Sequence, residues 1–234
     1  MENYDSVPKH IGFIMDGNGR WAASRGMPRN YGHQKGADAI YDVVEGCVDA
    51  GVQVISLFAF STENWSRPKQ EVTKIFDLLG KFLKKYRKTL IDKKIKFISS
   101  GDMSVLPKSL NDEINETVRV TEVFERNVLN IAINYGSRAE ICRAFNLLAA
   151  SGKKEVSEKD ISDALYTGGL PDVDLIVRTS GEQRISNFLL YQSAYSELYF
   201  TDVFWPDFNK TELNKALLWY SARQRRFGNI TDGQ

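Results

Sequence analysis

The chain is short of several things, and each shortage removes a class of explanation. Cysteine occurs only twice in 234 residues, at Cys47 and Cys142, too few for the disulfide framework of a small secreted domain. Both lie among apolar residues on helix-like segments, so both are expected to be small buried core residues in a reducing compartment. Net charge is almost absent: 31 Lys and Arg face 30 Asp and Glu. Any attraction to nucleic acid or anionic lipid would then have to come from local clustering, and no nucleic-acid partner is expected. No apolar run approaches the ~18 residues that span a bilayer, and the opening MENYD lacks the basic start and apolar stretch of a signal peptide. A cytoplasmic protein is expected. Neither G-x-x-x-x-G-K-S/T nor G-x-G-x-x-G occurs, so a nucleoside triphosphate or dinucleotide is not indicated. Internal repeats and low-complexity tracts are also missing.

What is present suffices for one large core, since 42% of the residues are apolar, and a single domain over residues 1–234 is the expectation. Short apolar runs rich in branched side chains fall at 11–15, 54–60, 95–99, 128–133 and 173–177, with a sixth at 196–201. Segments with helical spacing separate them, the pattern of an α/β fold with a mostly parallel six-stranded sheet flanked by helices. Over residues 71–90, Val72, Ile75, Phe76, Leu79, Phe82, Leu83, Tyr86 and Leu90 share one helix face, and the basic residues take the other. Residues 151–159 read as a surface connection and 228–234 as a frayed tail.

In parallel sheets, ligands bind beyond the carboxyl ends of the strands. The residues that follow three of the apolar runs are Asp16-Gly17-Asn18-Gly19-Arg20-Trp21, Ser61-Thr62-Glu63-Asn64-Trp65-Ser66-Arg67 and Arg178-Thr179-Ser180-Gly181-Glu182-Gln183-Arg184. All three are expected on one rim. Gly17 and Gly19 let backbone amides approach an anion, and the planar fork of arginine suits phosphate, so Arg20, Arg29, Arg178 and Arg184 form two candidate pairs. Asp16 among them makes sense as a magnesium ligand bridging to phosphate oxygens. Each fragment alone also has a plainer explanation. D-G-N-G is a common turn, Arg178 and Arg184 could be surface ion pairs with Glu182, His33 could be a structural hydrogen-bonding residue, and the apolar helix face could simply pack on the sheet.

Four stretches together resemble a known family: HIGFIMDGNGRWA, RNYGHQKGA, FAFSTENWSRP and DLIVRTSGEQRISNFLLYQSAYSELYFTDVFWPDF. They are similar to the signature regions of cis-prenyltransferases, in particular the bacterial undecaprenyl diphosphate synthases, in order and spacing from about residue 8 to 228. The resemblance implies a tunnel-bearing cis-prenyltransferase fold and the sequential condensation of isopentenyl diphosphate onto an allylic diphosphate such as farnesyl diphosphate. The product implied is undecaprenyl diphosphate, precursor of the lipid carrier for bacterial cell-wall glycans, with Mg2+ as cofactor.

Residue by residue, the resemblance makes Asp16 the essential metal-binding acid, with Glu197 as a second metal-associated carboxylate. Gly17, Asn18, Gly19, Arg20, Trp21, Arg29 and His33 would form the allylic diphosphate pocket. Arg178, Arg184 and Ser186 would hold isopentenyl diphosphate. Ser61, Glu63, Asn64, Trp65 and Arg67 would belong to a substrate-organising loop with Asn64 near the reacting centre, and Phe60 would form the wall beside the first isoprene unit. The helix over residues 72–90 would line a hydrocarbon tunnel whose length sets product length, and small Ala59 would leave room at its entrance. A homodimer is implied, with the apolar region 188–208 at its interface and residues 225–228 reaching the partner, along with transient membrane contact for product release. Tyr191 stands where Trp is usual and Val173 where Pro is common. The all-helical trans-prenyltransferases are set aside because D-D-x-x-D is missing. A catalytically silent subunit would have lost residues that are kept here, while a different allylic starter or a shorter product remains an alternative.

Overall fold

The computed structural model describes residues 4–224. The expectations for residues 225–228 and for the frayed tail at 228–234 therefore lie outside the described residues. Six strands build one sheet: β1 (His10–Ile14), β2 (Val54–Ser61), β3 (Ile95–Ser100), β4 (Asn127–Tyr135), β5 (Leu175–Arg178) and β6 (Glu197–Phe200). Their order is β3-β4-β2-β1-β5-β6, and every neighbouring pair is parallel. The strands start and stop within about two residues of the apolar runs, because strand ends are set by ladder pairing rather than by hydrophobicity. Residue 173 precedes β5, for example, while Arg178 closes it in register with Ile14.

Helices α1 (Asn18–Ala23), α2 (Arg29–Asp49), α3 (Lys69–Asp92), α4 (Lys108–Thr121), α5 (Ser137–Ala150), α6 (Glu158–Ala164) and α7 (Lys210–Ser221) connect and cover the strands. Helix α3 follows Pro68, whose ring cannot donate a hydrogen bond but suits the residue before a first turn. Its face of Val72, Ile75, Phe76, Leu79, Phe82, Leu83 and Leu90 is buried, as the spacing predicts. The main core packs α2, α3 and α7 on one sheet face with Ile11, Phe13, Ile55 and Leu57, while Ile14, Ile176, Phe188 and Leu189 form a smaller core on the other. Cys47 is buried in the main core, but Cys142 is exposed on α5, which corrects the expectation that both are buried; both are free thiols. Phe145 and Leu147 are exposed on α5 with Cys142 while Ile141 and Leu148 are half-buried, so periodicity alone could not say which side of the helix meets the sheet.

A polar relay crosses the sheet through its interior. Ser100 Oγ donates to Asn130 Oδ1 (2.9 Å), Asn130 Nδ2 to Ser56 Oγ (3.0 Å), and Ser56 Oγ meets His10 Nε2 at 2.8 Å. His10 Nδ1 ends the relay on the carbonyl of Pro171 (2.8 Å). This order assigns His10 the tautomer with its proton on Nδ1, so every member has a partner in a place where an unpaired polar group would be costly.

Candidate active site

Counted outward from β1, strand order runs to β2 on one side and to β5 on the other, so the carboxyl ends of β1 and β5 frame the crevice where the connections diverge. Asp16 and Gly17 leave β1 there. Gly17 has φ of 100°, and an added Cβ would lie 2.7 Å from the Phe204 ring and 2.8 Å from Ser180 Cβ, so glycine is required on both counts.

Opposite, Arg178 is 4% exposed. Its Nη2 donates to Asp16 Oδ2 (2.9 Å), and its Nη1 to Ser186 Oγ (2.7 Å) and the Arg184 carbonyl (2.5 Å). Arg20 adds a second cation, 3.4 Å from Asp16 Oδ1, while donating to Ser180 Oγ (2.5 Å) and Glu182 Oε1 (3.2 Å). Burial alone would raise the Asp16 carboxyl; the hydrogen bonds from Arg178 and the Gly17 amide, with the charges of Arg178 and Arg20, outweigh it and hold the group below the usual carboxylate range. Asp16 is therefore ionised at neutral pH.

The second side of the site comes from the 3-10 turn Thr62–Ser66 and the facing turns of α2 and α3. Asn64 Oδ1 caps that turn by accepting the Ser61 amide (3.1 Å), which leaves its NH2 as the group it can offer a ligand. Arg29, His33 and Arg67 gather near the Glu71 carboxylate. Burial lowers the His33 pKa and the neighbouring guanidiniums of Arg67 and Arg29 add to this, against the opposing pull of Glu71, so the ring is held neutral. Helix α1 lies close to α2 because Gly32 and Gly36 have no side chain: a Cβ would fall 1.9 Å from the Asn18 carbonyl and 2.1 Å from Asn18 Oδ1.

Between these walls is a cavity of about 670 Å³. One end is polar, with Asp16, Asn18, Arg20, Arg29, His33, Asn64, Arg67, Arg178 and Ser186; the other is apolar, with Ala37, Ile40, Phe58, Ala59, Ile75, Leu78, Leu79 and Phe82. Among the described residues, buried side-chain atoms without a hydrogen-bond partner include Asn18 Oδ1, His33 Nε2 and Arg178 Nε, and all three residues line this cavity. His33 Nε2 lies 3.4 Å from Glu71 Oε1 without an aligned hydrogen bond. Of the three, Asn18 Oδ1 is packed against Gly36 of α2; the groups able to meet an anion at the polar end are the four guanidiniums.

Several expected residues sit elsewhere. Phe60 does not line the cavity: a register shift between Phe58 and Phe60 turns it onto the α3 face, where it is fully buried against Trp65 and Phe76. A bulge re-aims side chains in this way, and Phe58 and Ala59 line the cavity in its place. Trp65 packs on Phe60 and donates to Asn134 Oδ1 (2.8 Å), and Trp21 donates to Asp207 Oδ1 (2.7 Å); both support the site from outside the cavity. Arg184 is not among the cavity-lining residues; its side chain pairs with Glu182 (2.5 Å), which also meets Arg20 (3.2 Å), and its carbonyl braces Arg178.

Glu197 begins β6, in register with Leu175, while Arg178 pairs with Phe200. It therefore lies toward the amino end of the sheet, ion-paired with Arg223 (3.1 Å), and one chain does not bring it to Asp16. The aromatic anchors of residues 188–208, namely Phe188, Trp205 and Phe208, are consumed by the chain's own core, so the expected interface there reduces to exposed side chains such as Tyr195 and Leu198.

Asn187 lines the cavity and was not foreseen. It has φ of 63° between Ser186 and Leu189, also at positive φ, and its Nδ2 donates to Glu63 Oε1 (3.1 Å). Its carbonyl and Oδ1 accept from the amides of Ser137 and Arg138 (2.8 and 2.9 Å), fixing the loop that carries Ser186. The tolerance of asparagine for left-handed backbone was the available signal.

A basic rim that opens on a hydrocarbon-walled chamber is what an enzyme handling prenyl diphosphates requires, and comparison with known proteins gives the same class. The profile of the family described as "Putative undecaprenyl diphosphate synthase" matches residues 14–228. The isoprenyl transferase of Fusobacterium nucleatum is 48% identical over 225 residues, covering 96% of this chain and 97% of its own length. That of Aquifex aeolicus is 43% identical, covering 97% and 98%. Among solved structures, lavandulyl diphosphate synthase from Lavandula x intermedia in complex with dimethylallyl diphosphate superposes with a TM-score of 0.92 at 33% identity, covering 95% of this chain and 99% of its own. A structure described as a probable undecaprenyl diphosphate synthase from Campylobacter jejuni gives 0.80 at 32% identity, covering 98% and 100%. The fold is that of the cis-prenyltransferases. The chain belongs to the undecaprenyl diphosphate synthase family of isoprenyl transferases.

Proposed function

We propose that the protein extends an allylic diphosphate, farnesyl diphosphate, by successive cis additions of isopentenyl diphosphate to a long-chain polyprenyl diphosphate, undecaprenyl diphosphate. The observation that carries this reading is the cavity's division: the guanidiniums of Arg20, Arg29, Arg67 and Arg178 beside Asp16 at one end, and the side chains of Ile75, Leu79 and Phe82 at the other. Each addition breaks the allylic C–O bond, forms a C–C bond and releases a proton from the added unit. Negative charge grows on the departing diphosphate, and the amides of Asn18 and Gly19 at the start of α1, with Arg20 and Arg29, which can adjust to it, receive that charge. Arg178 and Ser186 hold the second diphosphate. The NH2 of Asn64 orients the reacting ends, and the apolar walls keep water from the allylic cation.

The donor set fits magnesium of the kind that arrives with its phosphates. Asp16 is an ionised, partly exposed carboxylate at the cavity, and magnesium commonly takes one or two carboxylates plus substrate oxygens. Among the described residues there is no group of three or more His, Cys, Asp or Glu side chains able to hold a metal, so within one chain the role falls on Asp16. When bound, the ion would neutralise charge on the leaving diphosphate.

No described helix is long and apolar enough to cross a membrane. We read the protein as cytoplasmic, unloading its product at a membrane surface, and as a homodimer. The exposed Phe145 on α5 and Tyr195 and Leu198 near β6 supply apolar surface for a second copy. The test is incubation of purified protein with Mg2+, farnesyl diphosphate and labelled isopentenyl diphosphate, followed by sizing of the products. Absence of elongated product from folded protein would overturn the reading, and product that stops at short chains would overturn its chain-length part.

A further inference from the structure

Three segments far apart in the chain meet at Asn187. Ser61 at the end of β2 is paired with Tyr135 at the end of β4, so the residues that follow them, Thr62 and Gly136, leave the sheet side by side. Gly136 lets the segment that carries Ser186 close over both: an added Cβ would fall 2.7 Å from Asn187 Nδ2 and 2.7 Å from Thr62 Oγ1. On one flank Asn187 is fixed to the start of α5, its carbonyl accepting the Ser137 amide (2.8 Å) and its Oδ1 the Arg138 amide (2.9 Å). A backbone amide can only donate, so this bond settles which end of the side chain is oxygen and turns the NH2 to Glu63, where Nδ2 donates to Oε1 at 3.1 Å. Burial would raise the Glu63 carboxyl, but its own amide and the hydrogen bonds with Ser61, Asn187 and Thr62 outweigh it and keep the acceptor charged at neutral pH.

We infer that Asn187 is a positioning residue that fixes the spacing between the two reactants, tying the segment that holds isopentenyl diphosphate to the turn that presents Asn64. The inference rests on the proposed function. Ser186, its neighbour in the chain, accepts from Arg178 Nη1 (2.7 Å), so a shift of Asn187 disturbs both groups assigned to that diphosphate. Glu63 likewise precedes Asn64, whose Oδ1 holds the Ser61 amide within the same 3-10 turn. The Asn187–Glu63 bond therefore joins the two segments directly, and both of its residues line the cavity. The segment also needs holding: Ser186, Asn187 and Leu189 have φ of 47°, 63° and 48°, and backbone of this kind persists only where its surroundings over-determine it. Reacting carbons must come within about 3–3.5 Å, and a misplacement of about 1 Å can cost about a hundredfold in rate, so a tie between the two segments acts on turnover.

The test is a double-mutant cycle over Asn187→Asp and Glu63→Gln, measuring kcat, KM for farnesyl diphosphate and for isopentenyl diphosphate separately, and Tm. Asn187→Asp replaces one NH2 by oxygen, keeps the acceptor for the Arg138 amide and the tolerance for left-handed backbone, and sets a carboxylate against Glu63. Its kcat/KM for isopentenyl diphosphate should fall about tenfold or more, with KM for farnesyl diphosphate within about twofold. Glu63→Gln alone still offers Asn187 an acceptor oxygen and should cost less than about threefold. In the double variant the donor and acceptor exchange places, because the glutamine NH2 can donate to the new carboxylate, and kcat/KM should return to within about threefold of the unaltered enzyme. An unchanged kcat/KM in Asn187→Asp, losses that simply multiply in the double variant, or equal rises in both KM values with a lowered Tm would each overturn the inference. If the unaltered enzyme itself does not extend farnesyl diphosphate, the proposed function fails instead, and the two failures are told apart by that control.

Discussion

At the scale of single residues, the site is an exercise in keeping opposite charges close without letting them cancel. Arg178 is buried and held on three sides, so its orientation is set before any ligand arrives, whereas Arg20 and Arg29 are half-exposed and can adjust. Asp16→Ala is expected to leave the circular dichroism spectrum unchanged and to lower turnover at saturating substrate by at least about a hundredfold, the size of effect seen when charge stabilisation is removed from a transition state; undiminished turnover would reject its metal role. Gly17→Ala should fail in a different way. The left-handed backbone and the contacts with Phe204 and Ser180 forbid the methyl, so both Tm and activity should fall together. Much of this was legible in the sequence, because arginines and glycines after buried strands report their chemistry by type and position alone. Glu71 and Asn187 were not. Their importance lies in which distant residues they touch, and nothing in their immediate neighbours encodes that.

At the scale of elements, the long amphipathic helix was readable from its period, and its two faces do what the spacing predicts. The departure is on β2. Strict alternation places Phe60 on the same side as Phe58, but the register shift against β4 inserts a step that sends Phe60 to the other face and leaves Ala59 at the cavity. A bulge depends on the partner strand as much as on its own residues, which is why strand periodicity could not foresee it. The position that Ala59 occupies carries a prediction about products. Ala59→Leu adds three carbons to the chamber wall opposite α3, so the product distribution should shift to shorter chains by one or more isoprene units, with initial turnover reduced less than about tenfold. Chromatographic sizing of labelled product against standards checks this; an unchanged distribution would show that the growing chain does not pass this point.

Across the whole molecule, the alternation of apolar runs and helical segments was enough to foresee an all-in-one parallel sheet, but strand order and the relay from His10 to Ser100 were not readable, since they join residues far apart in the chain. The relay makes stability depend on pH. Burial lowers the His10 pKa from 6.5 to about 4, opposed only in part by its bond to the Pro171 carbonyl and by Asp174. Between these values the unfolded chain takes up a proton that the folded one refuses, so the contribution is fully present above about pH 6.5 and is lost as pH falls toward 4. At pH 5 the loss should be about 2 kcal/mol relative to pH 7.5. Denaturant melts at the two pH values check it, and a His10→Gln variant should show a shallower slope; an identical slope would assign the dependence to other groups.

The Asp16–Arg178 pair joins residues 162 positions apart. During synthesis the strands β1 to β4 can be assembled and the helices α2 and α3 laid down long before Arg178 leaves the ribosome, yet β1 still has one bare edge, because its second neighbour is β5. A nascent chain is consequently an unfinished container without its clasp, and the capacity to consume prenyl precursors switches on late in translation, when the last third of the polypeptide closes over the first.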